Sequence, residues 1–193
     1  MIYFTSDTHF SHRNILKYCN RPFTSIEEHD ETLITNWNSV VTTKDTVYHL
    51  GDFGFGSSKK LYELSLQLNG TIYLIQGNHD RATVKSPCKD RFEWIKDLHK
   101  LTCQEKGNTY QFILCHYAMR SWNKSYWGVP HLYGHSHGTL PFYKNSLDVG
   151  VDCNNFYPVN IKQVLAKISE LNDKTDNVKY IFGEMFGEHD DSD

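Results

Sequence analysis

The feature that most constrains this chain is a strand-like run that stops at a glycine and is followed at once by polar side chains. The run occupies residues 71–76, and Gly77-Asn78-His79-Asp80 comes directly after it. Such a short apolar run is typical of a buried β-strand. Glycine permits a sharp turn there, because it adopts positive φ without steric cost. In open α/β sheets the carboxyl ends of the strands bind ligands, so this stretch predicts a strand that ends at a binding edge.

Four further strand-like runs end in the same way. Taken over all five runs, the polar residues at the ends are Asp7 with His9, Asp52, Asn78 with His79, His116, and His135 with His137. Any one of these histidines alone is more often a packed or solvated residue than a ligand. Together they offer carboxylate, imidazole and amide oxygen donors, which suit Mn, Fe or Zn, whereas a soft copper site would favour thiolates. Mixed donors with a shared carboxylate fit two metal ions about 3.5–4 Å apart.

The composition describes an ordinary globular protein. Of the 193 residues, 39% are hydrophobic and 22% are charged, and the net charge is −3, so no overall basic field indicates nucleic-acid binding, although a local basic groove stays open. The five cysteines form no C-x-x-C pair, and Asp7 interrupts the first apolar run. We therefore expect no disulfides, no secretion leader and a cytoplasmic location. No run has the length of a membrane span, and no membrane partner is expected.

Alternating strand and helix patterns predict a layered α/β fold. We expect one domain over residues 1–183, followed by an acidic, disordered tail over residues 184–193. The predicted strands are residues 2–6, 46–50, 71–76, 98–104, 109–114, 131–133 and 146–151, with a candidate edge strand at 178–182. Helices are expected after the capping residues Ser25 (or Thr24), Ser57 and Asn160. The turn at residues 106–108 predicts a hairpin, so the sheet is not purely parallel.

In their order along the chain, these motifs resemble those of the calcineurin-like metallophosphoesterase superfamily. The matching motifs are Asp-x-His at 7–9, Gly-Asp at 51–52, Gly-Asn-His-Asp at 77–80, the strand-end His116, and Gly-His-x-His at 134–137. The stretch at residues 147–152, followed by a helix, is also similar to compact members. The start of the chain, including Arg21-Pro22-Phe23, resembles a small subgroup from bacteria and their viruses. The resemblance implies a four-layer α/β/β/α sandwich of two mixed β-sheets flanked by helices.

The resemblance also implies a set of site residues. The first metal ion would be held by Asp7, His9 and His137, and the second by Asn78, His116 and His135, with Asp52 bridging both. We expect two divalent ions, with Mn favoured and Fe, Zn or Ni as alternatives. His79 would be the catalytic histidine near the leaving group, since an imidazole can hold a proton at neutral pH and pass it on. Its neighbour Asp80 would orient it or stabilise the turn.

The implied activity is hydrolysis of a phosphoester by a hydroxide that two metal ions activate, with His79 as general acid. A phosphodiester of a nucleotide or of single-stranded nucleic acid is the leading substrate class. A phosphomonoesterase with the same site is the alternative. The rival from another class is a binding scaffold that uses the metal pocket for contacts alone. Nothing in the sequence indicates the oligomeric state.

Several residues beside these turns are weaker candidates. Substrate contacts are expected from His12, Asn14, Arg21, Arg120 and Trp122. The cations among them can bind phosphate, and an arginine can do so with two hydrogen bonds; a surface salt bridge is the alternative for each. The aromatic residues of the 117–130 loop could stack on a base or could pack as an ordinary loop. His49 lies inside an apolar strand and is expected to be a core histidine, whereas His29 is expected at the surface.

Overall fold

The predicted strands form two separate sheets in the computed structural model, which describes the backbone of residues 1–186 and the side chains of residues 1–173. The strands are β1 (Ile2–Thr5), β2 (Thr46–His49), β3 (Thr71–Ile75), β4 (Ile95–Lys96), β5 (Leu98–Glu105), β6 (Asn108–Cys115), β7 (His131–Tyr133), β8 (Ser146–Asp148) and β9 (Val159–Asn160). The helices are α1 (Ile15–Tyr18), α2 (Ile26–Val40), α3 (Ser58–Ser65) and α4 (Ile161–Phe186).

The first sheet has the strand order β4-β3-β2-β1-β9. Strands β1 to β4 run parallel, and β9 runs antiparallel to β1. Ile2 pairs with Thr46, and Thr46 pairs with Thr71, so the three central strands begin level with one another. Because these three strands are also of nearly equal length, their carboxyl ends lie together at one edge of the sheet.

The second sheet has the order β5-β6-β7-β8. Strands β5 and β6 form the predicted antiparallel hairpin, whose turn residues Lys106 and Gly107 both have positive φ, and β6, β7 and β8 run parallel. Two residues with positive φ suit the twist of a two-residue hairpin turn. Both sheets are therefore mixed, and the predicted pair of mixed sheets flanked by helices is confirmed.

Helices α2 and α3 cover one face of the first sheet. Leu33 and Trp37 of α2 and Leu61 of α3 pack in one buried cluster with Val47 and Ile72 of the strands. The apolar spacing of these helix residues matches the 3.6-residue period of a helix, so each helix turns one stripe toward the sheet. Burial of this stripe holds the helices in place.

The second buried cluster lies between the two sheets. Phe4 and Leu50 on the first sheet pack with Phe112 and Leu114 on the second, and Ile161 of α4 joins them. Helix α4 contacts β1, β8 and β9, so it packs where the two sheets come side by side. This shared core fixes the two sheets relative to each other, and with them the strand ends that carry the polar residues.

The predicted helix caps are present. The Ser25 hydroxyl accepts from the backbone N–H of Glu28, and the Ser57 hydroxyl accepts from Lys60. At α4 the capping box is complete, because the Asn160 side chain accepts from Gln163 N–H at 3.1 Å and the Gln163 side chain accepts from Asn160 N–H at 2.9 Å. Each cap satisfies a donor that the first turn of a helix leaves unpaired.

The carboxyl-terminal part of the sequence was predicted wrongly in one respect. Residues 178–182, the candidate edge strand, lie inside α4. The apolar residues of this run continue the helical spacing that begins at Ile161. Over only five residues, periodicity could not distinguish a separate edge strand from an extension of the helix. Residues 187–193, most of the predicted acidic tail, lie outside the described residues. Within the described range no helix combines the length and apolarity needed to cross a membrane.

Candidate metal centre

The turns that follow the strands have an unusual backbone. Positive φ values occur at Asp7 (56°), His9 (49°), Asp52 (56°), His135 (67°) and His137 (48°). Side chains other than glycine rarely adopt this left-handed conformation, because Cβ approaches the backbone. Five of the seven predicted metal ligands adopt it, so each of these turns bends sharply enough to point its side chain back over the end of the sheet.

Two glycines allow these turns to approach one another. A Cβ atom at Gly77 would clash with the Asp52 carboxylate, and one at Gly134 would clash with Ser6 and lie 2.5 Å from Asp7 Oδ2. Gly77 has no positive φ, which corrects the expectation that the turn needs glycine for its dihedral angles. Its missing side chain is what the site requires, because the Asp52 carboxylate occupies that space.

The polar side chains gather in two groups. Asp7, His9 and His137 offer ligand atoms that all lie within 4.8 Å of one another, and the same holds for Asp52, His116 and His135. The Asn78 amide oxygen lies 3.1 Å from His116 Nε2 and so belongs beside the second group. The strand ends therefore bring together all seven predicted ligands, and each group could hold one divalent cation.

Asp52, a member of the second group, also faces the first. Its Oδ2 atom is 3.6 Å from His9 Nε2, in the first group, and 3.5 Å from His116 Nε2, in the second. Its other oxygen, Oδ1, accepts a hydrogen bond from His79 N–H at 2.8 Å. One carboxylate oxygen thus faces both groups while the other fixes its orientation.

Hydrogen bonds orient the imidazole rings. His116 Nδ1 donates to the Leu50 carbonyl at 2.7 Å, and His137 Nδ1 donates to Asp152 Oδ2 at 2.7 Å. Both rings therefore carry a proton on Nδ1, and Nε2 is the nitrogen that each could offer to a metal ion, which is the arrangement of most metal-binding histidines. His9 Nε2 is buried and has no hydrogen-bond partner. Since buried polar atoms are rarely left unpaired, this nitrogen fits a metal ion.

The charges at the centre also favour a cation. Burial raises the pKa of Asp7 to about 7 and lowers the pKa of His9 to about 2. At Asp52 burial acts to raise the pKa, but the hydrogen bond and charge of His116 outweigh it and bring the pKa down to about 2. At His137 burial acts to lower the pKa, but the hydrogen bond to Asp152 outweighs it and raises the pKa to about 10. Protonated imidazole therefore supplies positive charge beside the buried carboxylates, and divalent ions would supply that charge instead.

His79 lies at the mouth of the centre, as predicted. Its exposed ring packs against Phe55, with ring centroids 4.9 Å apart, and lies 5.6 Å from the His9 ring. A cavity of about 970 Å³ opens beside it and is also lined by His12. The His12 ring stacks on Phe55 at 3.8 Å, and its Nδ1 is 3.3 Å from His9 Nδ1. His12 is thus placed to contact a molecule bound in this cavity.

Asp80 does not contact His79. Its carboxylate accepts from the backbone N–H groups of Asp52, Phe53 and Gly77, at 2.9, 2.9 and 2.8 Å. Of the two roles expected for Asp80, these contacts match stabilisation of the turn. Because Asp80 is fully buried and holds the backbone of Asp52, we treat it as a positioning residue rather than a catalytic one.

Arg21 was predicted to bind substrate, and the structure contradicts this. Its side chain is completely buried, and its five N–H groups make five hydrogen bonds. The acceptors are both oxygens of Asp152, the carbonyls of Thr8 and Asp7, and His29. No donor is left for a phosphate. The predicted surface histidine His29 is likewise buried, between this guanidinium and Asp30.

Three more predicted contacts lie away from the cavity at His79. Trp122 is only 7% exposed, and its indole N–H donates to the Val129 carbonyl, so its ring packs inside the loop instead of facing a ligand. Asn14 is exposed at the start of α1 and does not line the cavity at His79. Arg120 is also exposed, but it lines a second cavity of about 420 Å³.

Some residues that shape the centre have no signal in the spacing of the motifs. Asp152 orients His137 and pairs with Arg21, and Asp148 Oδ2 accepts from Ser136 Oγ at 2.7 Å within the turn that carries His137. Both acids belong to the 147–152 stretch that carried part of the family resemblance.

His49 is confirmed as a core histidine. Its Nδ1 accepts from Gly51 N–H at 3.2 Å, and Thr8 Oγ1 lies 2.9 Å from its Nε2.

The chain belongs to the calcineurin-like phosphoesterase family, whose family model matches residues 1–182. The resemblance inferred from the motifs is confirmed. Members of this family are hydrolases that act on phosphoesters with divalent metal ions, and the two groups of ligand atoms described above agree with this.

Two of three similar proteins match most of the chain, and the third matches less than half of it. The uncharacterized protein MJ1445 of Methanocaldococcus jannaschii is 38% identical over 178 residues, which cover 88% of this chain and 92% of that protein. The gene 66 protein of Mycobacterium phage L5 is 42% identical over 81 residues, covering 40% of this chain and 39% of that protein. The solved structure of the protein of unknown function AQ665 from Aquifex aeolicus aligns with a TM-score of 0.61 and 26% identity, over 82% of this chain and 94% of that one.

Proposed function

We propose that this protein is a two-metal phosphodiesterase that acts on a nucleotide or nucleic-acid substrate, with His79 as general acid. The observation that supports it most is the position of Asp52, because Oδ2 lies 3.6 and 3.5 Å from imidazole nitrogens of two different ligand groups. A shared carboxylate is the usual bridge of a two-metal site. Among divalent metals Mn remains our first expectation, because the donors are carboxylate and imidazole without thiolate.

In this proposal Asp7, His9 and His137 would hold one ion, Asn78, His116 and His135 would hold the other, and Asp52 would be shared between them. When bound, the ions would neutralise the phosphoryl oxygens and lower the pKa of the attacking water.

The surrounding residues keep the ligands in place. The Leu50 carbonyl and Asp152 hold the rings of His116 and His137, and Asp80 holds the Asp52 turn. Because these supports are buried, the ligand geometry exists before substrate arrives, and little energy is needed to reorganise it.

His79 has a separate task. It follows Asn78 directly, its backbone is fixed to Asp52, and its ring is free at the cavity. From there it can give a proton to the oxygen that leaves as the phosphoester bond breaks. Such a proton matters most when the leaving group is an alkoxide, such as a ribose oxygen, because an alkoxide leaves poorly without protonation.

The cavity supports a substrate larger than phosphate. Its walls include the apolar and aromatic side chains of Ile15, Tyr18, Phe55 and Leu140, with Tyr18 73% exposed. A volume of about 970 Å³ is at the upper end of the range for small-molecule sites. A planar nucleoside group is the natural occupant of such walls. The five unpaired cysteines agree with the expected cytoplasmic location, which stays a prediction.

The proposed acid role of His79 predicts a dependence on the leaving group. His79→Asn should leave both metal ions bound but lower kcat about 10²–10⁴-fold on a ribose-leaving diester. On a p-nitrophenyl diester the loss should be much smaller, because p-nitrophenolate leaves without protonation. Steady-state kinetics with Mn²⁺ on both substrates, together with metal analysis of the variant, would measure this.

Asp52→Asn serves as the matched control. It should abolish turnover of both substrates and reduce bound metal below two equivalents per chain. Equal losses on both substrates in His79→Asn, with the metal content unchanged, would contradict the general-acid role. A preference for p-nitrophenyl phosphate over the diesters would instead indicate a phosphomonoesterase.

A further inference from the structure

Two loops beside the second sheet, residues 117–130 and 138–146, carry charge of one sign. From residue 106 to residue 147 the sequence contains no aspartate or glutamate, although the whole chain contains 23 of them and has a net charge of −3. The charged side chains of the two loops are Arg120, Lys124 and Lys144. The two loops are therefore locally basic, although the net charge of the whole chain is negative.

The same loops expose large aromatic rings. Tyr126 is 87% exposed, Trp127 81%, Tyr117 47% and Tyr143 40%. Single exposed apolar residues are common, but a contiguous group of them usually marks an interaction site. Lys144 Nζ lies 4.9 Å from the Tyr126 ring centre and 5.3 Å from that of Tyr143, so one cation joins rings from the two loops. We call the exposed rings and cations of these loops the basic aromatic surface.

The backbone that carries Tyr126 and Trp127 is held in place. Tyr126 and Trp127 lie in a single 3₁₀ turn (Ser125–Trp127), which ends at Gly128 with φ of 76°. Beneath this turn Trp122 is anchored to Val129, and the Asn145 amide donates to the Gly128 carbonyl at 2.8 Å, which ties one loop to the other. A loop whose backbone is already ordered loses less conformational entropy when it binds a partner.

The surface is continuous with the metal centre. The Tyr117 ring lies 5.0 Å from the His116 ring and 4.9 Å from that of His135. Leu140 lines both the cavity at His79 and the second cavity, which Arg120 and Tyr143 also line. A chain molecule could therefore follow the surface and enter the metal centre without leaving the protein.

We propose that the basic aromatic surface binds a single-stranded nucleic acid on its way into the metal centre. Bases would stack on Trp127, Tyr126 and Tyr143, and phosphates would lie near Arg120 and Lys144. Aromatic rings interleaved with cations are the pattern of single-strand binding, since every base has a stacking face and every linkage has a charge. The inference rests on the proposed function for the reaction, while the binding itself needs neither metal ligand nor His79.

Binding can be measured with the metal-loaded full chain and fluorescein-labelled oligonucleotides of about 12 nucleotides. Phosphorothioate linkages and a gel run after each titration would ensure that the strand stays intact, and DNA and RNA strands would be compared. The double variant Tyr126→Ala, Trp127→Ala should weaken binding at least about 10-fold. Lys144→Gln should reduce the slope of log affinity against log salt by about 0.7.

Matched controls come from other parts of the surface. Tyr157→Ala removes an aromatic ring that is 39% exposed outside the two loops, and Lys59→Gln removes an exposed cation of α3. Neither should change affinity or salt slope. All these variants should retain wild-type activity on a p-nitrophenyl diester, because none of the altered residues touches the metal centre.

Failure of this inference differs from failure of the proposed function. No measurable strand binding, or equal affinity in the wild type and the Tyr126, Trp127 variant, would overturn the inference whatever the activity. A dimer in sedimentation that the double variant dissociates without loss of strand binding would also overturn it and would assign the surface to self-association. Strand binding that depends on both rings, in a chain that fails to hydrolyse any diester, would support the inference and end the proposed function.

Discussion

On the first-sheet side of the metal centre, Arg21 is buried and all five of its N–H groups are bound by acceptors of the same chain. On the second-sheet side, Arg120 and Lys144 are exposed, and Lys144 Nζ lies 4.9 Å from the centre of the Tyr126 ring. Both sides thus carry cations and aromatic rings. The difference shows that the residue type alone does not separate a structural cation from one that can meet a ligand; what separates them is whether the chain itself supplies the partners.

The largest expected difference between the two sides is in stability. Arg21→Ala would remove a fully buried guanidinium from the Asp152 carboxylate, which is 11% exposed, and should lower the free energy of unfolding by about 3–5 kcal/mol. Burial acts to raise the pKa of Asp152, but hydrogen bonds from His137 and Arg21 lower it overall. Arg120→Ala, at an exposed position, should change stability by no more than about 0.5 kcal/mol. Urea unfolding of both variants measures this, and similar losses would remove the distinction.

A smaller difference is expected between two tryptophans of the same loop. Trp122→Ala removes a ring that is 7% exposed and should lower the free energy of unfolding by about 3 kcal/mol. Trp127→Ala removes one that is 81% exposed and should be nearly neutral for stability. Thermal unfolding followed by circular dichroism would compare them. A clear loss in Trp127→Ala would mean that its ring stabilises the loop and is not held for a ligand.

The smallest expected effect is the pH dependence of stability that comes from His49, the buried histidine next to the Asp52 turn. Burial lowers the pKa of His49 to about 3. In the unfolded chain a histidine has a pKa near 6.5, so as pH falls the unfolded chain takes up a proton at this residue before the folded chain does. The contribution of the neutral His49 ring to stability is therefore complete above about pH 6.5 and is lost as pH falls toward 3.

Between about pH 6.5 and pH 5 this loss should reach roughly 2 kcal/mol. His49→Asn keeps an acceptor for Gly51 N–H but does not titrate, and should flatten that part of the pH profile measured by urea unfolding with a chelator. His99→Asn, at a half-buried position, should change the profile less. Profiles that stay parallel in wild type and His49→Asn would show that other groups control the acid sensitivity.

Much of the fold and of the metal centre could be predicted from the sequence because both depend on local signals. The strand runs, the caps at Ser25, Ser57 and Asn160, and the hairpin turn are each encoded within a few neighbouring residues. Parallel strands then bring their carboxyl ends to one edge, so placing the polar residues at strand ends was enough to predict that they meet. The short strands β4 and β9 have two residues each and carry no period that could be detected.

The substrate contacts could not be predicted in the same way, since exposure depends on distant partners. Arg21 is held by Asp152, 131 positions further along the chain, and no local pattern joins the two. Trp122 and Trp127 are five positions apart in one polar and aromatic loop, yet one is buried and the other is exposed. Which ring faces inward is decided by the turn at Lys124 and by Asn145 from the other loop.

Five residues of the candidate metal centre have a left-handed backbone, which lowers stability at positions that the proposed activity needs. They are Asp7, His9, Asp52, His135 and His137. Each such residue costs on the order of 1 kcal/mol relative to a glycine, which adopts the same angles freely. A mutation to glycine at any of them would relax the backbone while deleting a ligand. Folding stability alone would therefore favour glycine at these five positions, and the side chains present there carry a cost that only a role in binding would offset.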